Sequence, residues 1–250
     1  VMRDKTEEKP RWWSKLLIFG AGISVLLLIS GPLGYRFGIT PLLPSLMSLL
    51  VAMAGAVVVL LASIVMVIVA NKNNLTRDRN IILISMGISL IPMIAMGPQL
   101  IKTRSVPAIH DLTTDTQSPP QFEAVVALRK DAPNSLEYEL DGSAENLAKQ
   151  TMAAYPGLKT LQSDLSVGEA VDRAVEVLTN RGIEIVNSDK DSGIVEATAT
   201  TFWFGFKDDV VVRVRSDGAG SKIDVRSVSR VGQSDVGANA ARIMKFLKAF

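Results

Sequence analysis

The chain of 250 residues contains no cysteine and one histidine. Without cysteine there is no disulfide, no thiolate nucleophile and no thiolate-bound metal. A lone imidazole leaves little room for histidine-based catalysis. No phosphate loop, dinucleotide fingerprint, zinc spacing or nucleophile elbow occurs, and no cofactor is expected. Aromatic residues make up only 6% of the chain, yet four of them fall within residues 202–206. Charge is also unevenly placed: residues 16–101 are almost free of it.

That charge-poor stretch resolves into three apolar runs, 16–33, 42–70 and 81–101, none holding an Asp, Glu, Lys, Arg or His. Each is long enough to cross a bilayer as a helix. The first is followed by Gly-Pro-Leu-Gly-Tyr-Arg and lacks a small-x-small cleavage signal, so it is expected to remain as a span. Trp12 and Trp13, beside Lys15, suit the headgroup level. Ala52 and Ala56, with Gly55 between them, would let a neighbouring helix approach closely. Pro92 and Gly97-Pro98 are expected to loosen the second half of the third run. Ion and proton pathways usually place an ionisable group inside the bundle, and these runs have none, so they read as a holder. Residues 1–104 are expected to form a three-helix transmembrane anchor, and residues 105–250 a separate domain with its own core.

Net charge separates the two regions. Residues 1–104 carry 11 Lys and Arg against 4 Asp and Glu, whereas residues 105–250 carry 16 against 21. A mildly acidic domain lacks the concentrated positive face that phosphate neutralisation needs, so no nucleic-acid partner is expected. Basic residues at 3, 5, 9, 11 and 15 precede the first run, and Lys72, Arg77 and Arg79 lie in the second loop. The first loop has only Arg36. The richer flanks stay in the cytoplasm. Hence the expected topology is a multi-pass inner-membrane protein, N-terminus inside, with residues 105–250 in the periplasm.

The domain begins with a proline-punctuated approach over 103–143. Within it, His110 is flanked by Asp111 and Asp115, which reads as a turn-forming run or, less simply, as a thin ligand set. Residues 122–128 read as a short helix or strand and 144–154 as a helix. From 158 the pattern is β-α-β-β-β-β-α, with strands at 158–165, 183–189, 194–200, 210–215 and 222–228. The helix after Ser166 is opened by a capping box with Glu169, and the last runs over 236–250. Such an order implies an α+β fold, a mainly antiparallel sheet with helices on one face. Alternation places Glu196, Arg213, Arg215, Asp224 and Arg226 on the helix-free face, as cross-strand ion pairs on a wet surface or as a groove for an anionic group. Asp208 and Asp209, adjacent on a strand, point to opposite faces and are poorly placed to act as an acid–base pair.

Several separate motifs occur in order: Ile109-His-Asp-Leu-Thr-Thr-Asp115, Trp203-Phe-Gly-Phe-Lys-Asp-Asp-Val210, Asp224-Val-Arg-Ser-Val-Ser-Arg-Val-Gly232, Asp235-Val-Gly-Ala-Asn239 and Arg242-Ile243. Over about residues 105–250 the chain resembles the domain-of-unknown-function family 1499. That resemblance implies an envelope or membrane-associated domain, in some members carried on an anchor, and no established activity.

Three functional readings follow. The first is a binding or assembly module, not an enzyme, with Trp203, Phe204 and Phe206 as the contact and Lys207, Asp208, Arg226, Arg230, Asp235 and Asn239 as polar neighbours. Its partners would be membrane lipids through the anchor, and another envelope protein or a lipid through the aromatics. The second is a carrier of a lipid or small hydrophobe, with the aromatics lining a pocket under the helices. The third is a hydrolase built on His110, Asp111 and Asp115.

Overall fold

A computed structural model describes residues 9–250, so the basic residues at 3 and 5 lie outside the described residues. The chain divides into two units between Ile101 and Lys102.

The first unit contains helices α1 (Trp12–Arg36), α2 (Leu42–Lys72) and α3 (Thr76–Ser105), each long and apolar enough to cross a membrane. Helix α3 runs without interruption through Pro92 and Pro98, where a loosened second half was expected. Each proline removes one amide donor, but breaking the helix in lipid would strand several more backbone groups. Close packing of α1 on α2 rests on small residues. Ala52 and Ala56 are fully buried, and a methyl added at Gly20 would lie 2.9 Å from Val59 Cγ2. Asp78, in the first turn of α3, is buried and accepts from Arg11 N at 2.8 Å and Ser14 Oγ at 2.6 Å. It thereby caps the start of α1, whose own N-cap residue, Arg11, has no side-chain cap bond.

The second unit is α+β. Its strands are β1 (Asp111–Thr113), β2 (Leu161–Ser163), β3 (Glu184–Asp189), β4 (Ile194–Thr200), β5 (Lys207–Asp217) and β6 (Gly220–Ser229). They form one antiparallel sheet in the order β1-β6-β5-β4-β3, with β2 also paired to β6. Helices α4 (Ala144–Ala154), α5 (Val167–Asn180) and α6 (Ala238–Ala249) and a short 3-10 helix at Ala124–Arg129 complete it. Elements from β2 onward follow the expected β-α-β-β-β-β-α order. Residues 111–113 are a strand where the sequence suggests a turn, because β6 extends far enough to pair with them.

Local signals explain the helices. Ser166 Oγ accepts from Glu169 N while Glu169 Oε2 accepts from Ser166 N, so the first turn of α5 is closed at both ends. Its apolar stripe of Ala170, Val171, Ala174, Val177 and Leu178 is buried on the sheet. The helix stops at Arg181, followed by Gly182 at φ +68°. Ile243 and Phe246 of α6 join the same core, facing Val210, Val212, Val214, Ile223 and Val225.

The opposite sheet face differs from expectation. It is not wet. Phe122 and Val125 pack there against Val211 and Val228, and Glu196, Asp224 and Arg226 are all fully buried. The proline-punctuated segment lies over this face and supplies backbone partners to Glu196, Arg213 and Arg226, while Asp224 is held by side chains. Glu196 accepts from the amides of Glu123, Ala124 and Val125 at 2.8–2.9 Å, which places its carboxylate at the start of the 3-10 helix. Arg213 donates to Ser118 O at 2.8 Å, and Arg226 donates to Pro120 O at 3.1 Å and Leu136 O at 2.7 Å.

Candidate functional site

The hairpin between β4 and β5 carries the aromatic stretch. Strand pairing ends at Thr200 with Lys207, and residues 201–206 close the turn. Thr201 N donates to Phe206 O at 2.8 Å, Gly205 N to Thr201 O at 3.1 Å, and Phe206 N to Thr201 Oγ1 at 2.9 Å. Gly205 sits at φ +68°, a conformation that a side chain would resist. Phe204 and Phe206 stack at 4.7 Å with an interplanar angle of 7° and are half-buried. Phe202 and Trp203 meet edge to face at 5.5 Å and point outward, 79% and 54% exposed. The tip is thus a braced loop presenting two large aromatics.

Most of the predicted polar residues gather at the same end of the sheet but split between its faces. On the helix side, Asp208 accepts from Arg242 Nη2 at 2.6 Å, and Arg242 also reaches Ser227 Oγ and Asn239 Oδ1. Asn239 is fully buried; its amide donates to His110 O at 2.9 Å and Ser229 Oγ at 3.0 Å. Asp235 accepts from Gly237 N at 2.7 Å and Asn239 N at 2.5 Å, so it serves the start of α6 from two residues before the cap position. Burial pushes its carboxyl above the usual range, against those two amide bonds.

On the other face, Asp209 is fully buried and receives Arg129 Nη1 at 2.5 Å, Arg230 Nε at 2.9 Å and Thr198 Oγ1 at 2.7 Å. Burial alone would raise this carboxyl, but the bonds from Arg230, Thr198 and Arg129 together hold it below the usual range. Asp111 and Arg226 form a two-pronged pair, also buried, and burial pushes the Asp111 carboxyl up against that partner. Arg226 lies over the rings of Phe122 at 5.3 Å and Tyr138 at 5.5 Å. Burial likewise pushes the Tyr138 phenol up to about 12.

Asp115 stands apart. It accepts from Arg213 at 3.0 Å and Arg215 at 3.3 Å and turns the chain through Gln117 N and Ser118 N. Asp111 faces Arg226 and Asp115 faces Arg213, so the structure does not bring these two carboxylates to one place. His110 contributes its carbonyl to Ser229 N and Asn239. Among the described residues, no group of three His, Asp or Glu is placed to hold a metal ion. The aromatics do not line a pocket under the helices, as the carrier reading supposed; the hairpin carries them beyond the end of the sheet.

A family model described as a protein of unknown function, DUF1499, matches residues 111–250. The chain belongs to that family. No curated protein matches the chain. The match covers the whole sheet of the DUF1499 domain and begins at β1, after the three apolar helices. Within this DUF1499 domain the motif polar residues are mostly joined to one another, and the two outward aromatics stand beyond them.

Sequence reasoning grouped Phe204 and Phe206 with Trp203 and left out Phe202, whereas the structure exposes Phe202 with Trp203 and half-buries the other two. Four aromatics in five residues cannot all face one way. Which pair is stacked inward depends on the left-handed turn at Gly205, and glycine at the fourth position of that run was the available signal.

Proposed function

We propose that the protein is a membrane-anchored binding module of the cell envelope, in which residues 1–104 hold residues 105–250 at a bilayer and the 201–206 hairpin tip makes the contact. The observation that carries this reading is the exposure of Phe202 and Trp203 on a loop that is itself tied down by three hydrogen bonds. Exposed aromatics on a preorganised tip lose little conformational freedom on binding, which favours recognition. The motif carboxylates Asp111, Asp115, Asp208 and Asp209 are each ion-paired to arginine, an arrangement suited to holding a shape and not to moving protons.

The distribution of Lys and Arg supports an N-terminus in the cytoplasm and a DUF1499 domain in the periplasm of an inner membrane. Because the chain lacks cysteine, Ser135→Cys introduces its single thiol at an exposed position. A membrane-impermeant maleimide should label it in spheroplasts; labelling only after lysis would reverse the topology. The contact reading is tested by photo-crosslinking in cells from a probe at Phe202. A discrete adduct is expected. Absence of any adduct from probes at both 202 and 203 would remove the tip as a contact surface.

A further inference from the structure

Resting on the reading that the hairpin tip is the contact surface, we propose that its partner is the lipid bilayer the chain itself spans, with Phe202 and Trp203 seated at the headgroup level of the leaflet from which the domain emerges.

The sheet register places the tip at the end where the chain enters the domain. Asp208 at the base of the hairpin pairs with Ser229, and Asp111 at the start of β1 pairs with Val228. Ser229 N donates to His110 O and Arg230 N to Lys207 O, so the first residues of the domain and the foot of the hairpin meet at the last residue of β6 and the one that follows it. The other end of the sheet, the turn between Asp217 and Gly220, lies a full strand away. β5 is 11 residues long, which at ~3.3 Å per residue is about 35 Å.

Chain connectivity then limits where the tip can go. Helix α3 ends at Ser105, after Lys102 and Arg104, the basic residues that mark an interface. From Ser105 to His110 the chain reaches at most ~18 Å fully extended. The covalent chain therefore keeps the entry end of the sheet within ~18 Å of the last residue of α3. For a tip tethered in this way, meeting lipid is an intramolecular event with a high effective concentration, whereas a soluble partner must arrive from bulk.

The chemistry of the tip fits that surface. It combines an indole, a phenyl ring and the exposed Lys207. The neighbouring carboxylates are withdrawn: Asp208 is turned to Arg242 and Asp209 to Arg129 and Arg230, both buried. An aromatic pair flanked by a cation and free of exposed acid matches the headgroup region, where indole rings concentrate and anionic lipids attract lysine. The stack of Phe204 on Phe206 fixes the outward direction of the other two rings.

The test uses the full chain in lipid nanodiscs. The protein has three tryptophans, so Trp12→Phe with Trp13→Phe leaves Trp203 as the sole indole emitter. Lipids brominated near the headgroup are expected to quench its emission about twofold or more, and lipids brominated near the acyl terminus less. Adding Phe202→Ser, which removes an exposed ring, should weaken the quenching while the far-UV spectrum is unchanged. Emission insensitive to both bromolipids overturns the proposal, as does quenching confined to the deep label. If Trp203 is unquenched and the probe at Phe202 captures a protein, the lipid assignment falls and the contact reading stands. If Trp203 is unquenched and no adduct forms, both fall.

Discussion

Arg226 grips Asp111 with two bonds, Nε to Oδ1 at 3.0 Å and Nη2 to Oδ2 at 2.7 Å, in the interior of the domain. The two residues are 115 positions apart in the chain, and their meeting joins the first family motif to the third. The remaining donors of Arg226 reach the carbonyls of Pro120 and Leu136, so one guanidinium fastens β1, β6 and the covering segment together.

Breaking this pair should be costly. Asp111→Ala leaves a buried guanidinium uncompensated, for which the expected loss is about 3–5 kcal/mol. Asp111→Leu with Arg226→Met removes both charges and should recover part of that loss, not all, because the Pro120 and Leu136 carbonyls lose their donors. Urea unfolding in detergent, followed by near-UV circular dichroism, measures both. A loss below about 1 kcal/mol for the single variant would contradict the account.

Asp209 sets an acid limit on the domain. Its folded pKa is depressed below the unfolded value, so its contribution is present above the unfolded pKa and is lost as pH falls through the folded one. Asp111 and Asp235, raised by burial, act in the opposite sense and lose their contribution as pH rises through their folded values. The informative quantity is therefore the difference between wild type and Asp209→Asn. That difference should be large near neutrality and shrink below about pH 4. A difference independent of pH would show that the arginine contacts do not depend on the charge.

Two glycines allow a backbone test. A methyl at Gly193, φ +70°, would lie 2.2 Å from Val214 O, whereas Gly218, φ +63°, has open space. Gly218→Ala should cost only the left-handed penalty of about 1–2 kcal/mol. Gly193→Ala should cost distinctly more, because the main chain of β5 must move. Equal losses in thermal melts would mean that the close approach is absent.

The tip should be dispensable for folding. Phe202→Ser and Trp203→Ser remove exposed rings and are expected to change stability by no more than about 0.5 kcal/mol. Phe204→Ser opens the stack with Phe206 and should lower the melting temperature. A tip in which all three substitutions destabilise equally would be part of the core.

Much of the fold was legible because it rests on short-range periodicity. Three charge-free runs, the Ser166–Glu169 cap, and the alternation of Val210, Val212 and Val214 against Arg213 and Arg215 each follow from residue spacing alone. Alternation also separated Asp208 from Asp209, and their arginine partners do lie on opposite faces. By contrast, nothing periodic marks residues 116–136, whose prolines and mixed polarity say only that they are irregular.

The sequence by itself therefore determined the apolar helices, the succession of elements along the chain from β2 onward and the faces to which the residues of β4, β5 and β6 belong, because those depend on neighbours a few positions apart. Tertiary structure decided what covers each face. The proline-rich segment closes over Glu196 and Arg226, giving Glu196 three backbone amides and Arg226 two carbonyls beside its Asp111 partner, while Asp224 is held by Thr114, Thr160, Arg213 and Arg215. It also decided which aromatics of the hairpin face outward, since one left-handed turn at Gly205 stacks Phe204 on Phe206 and leaves Phe202 and Trp203 exposed.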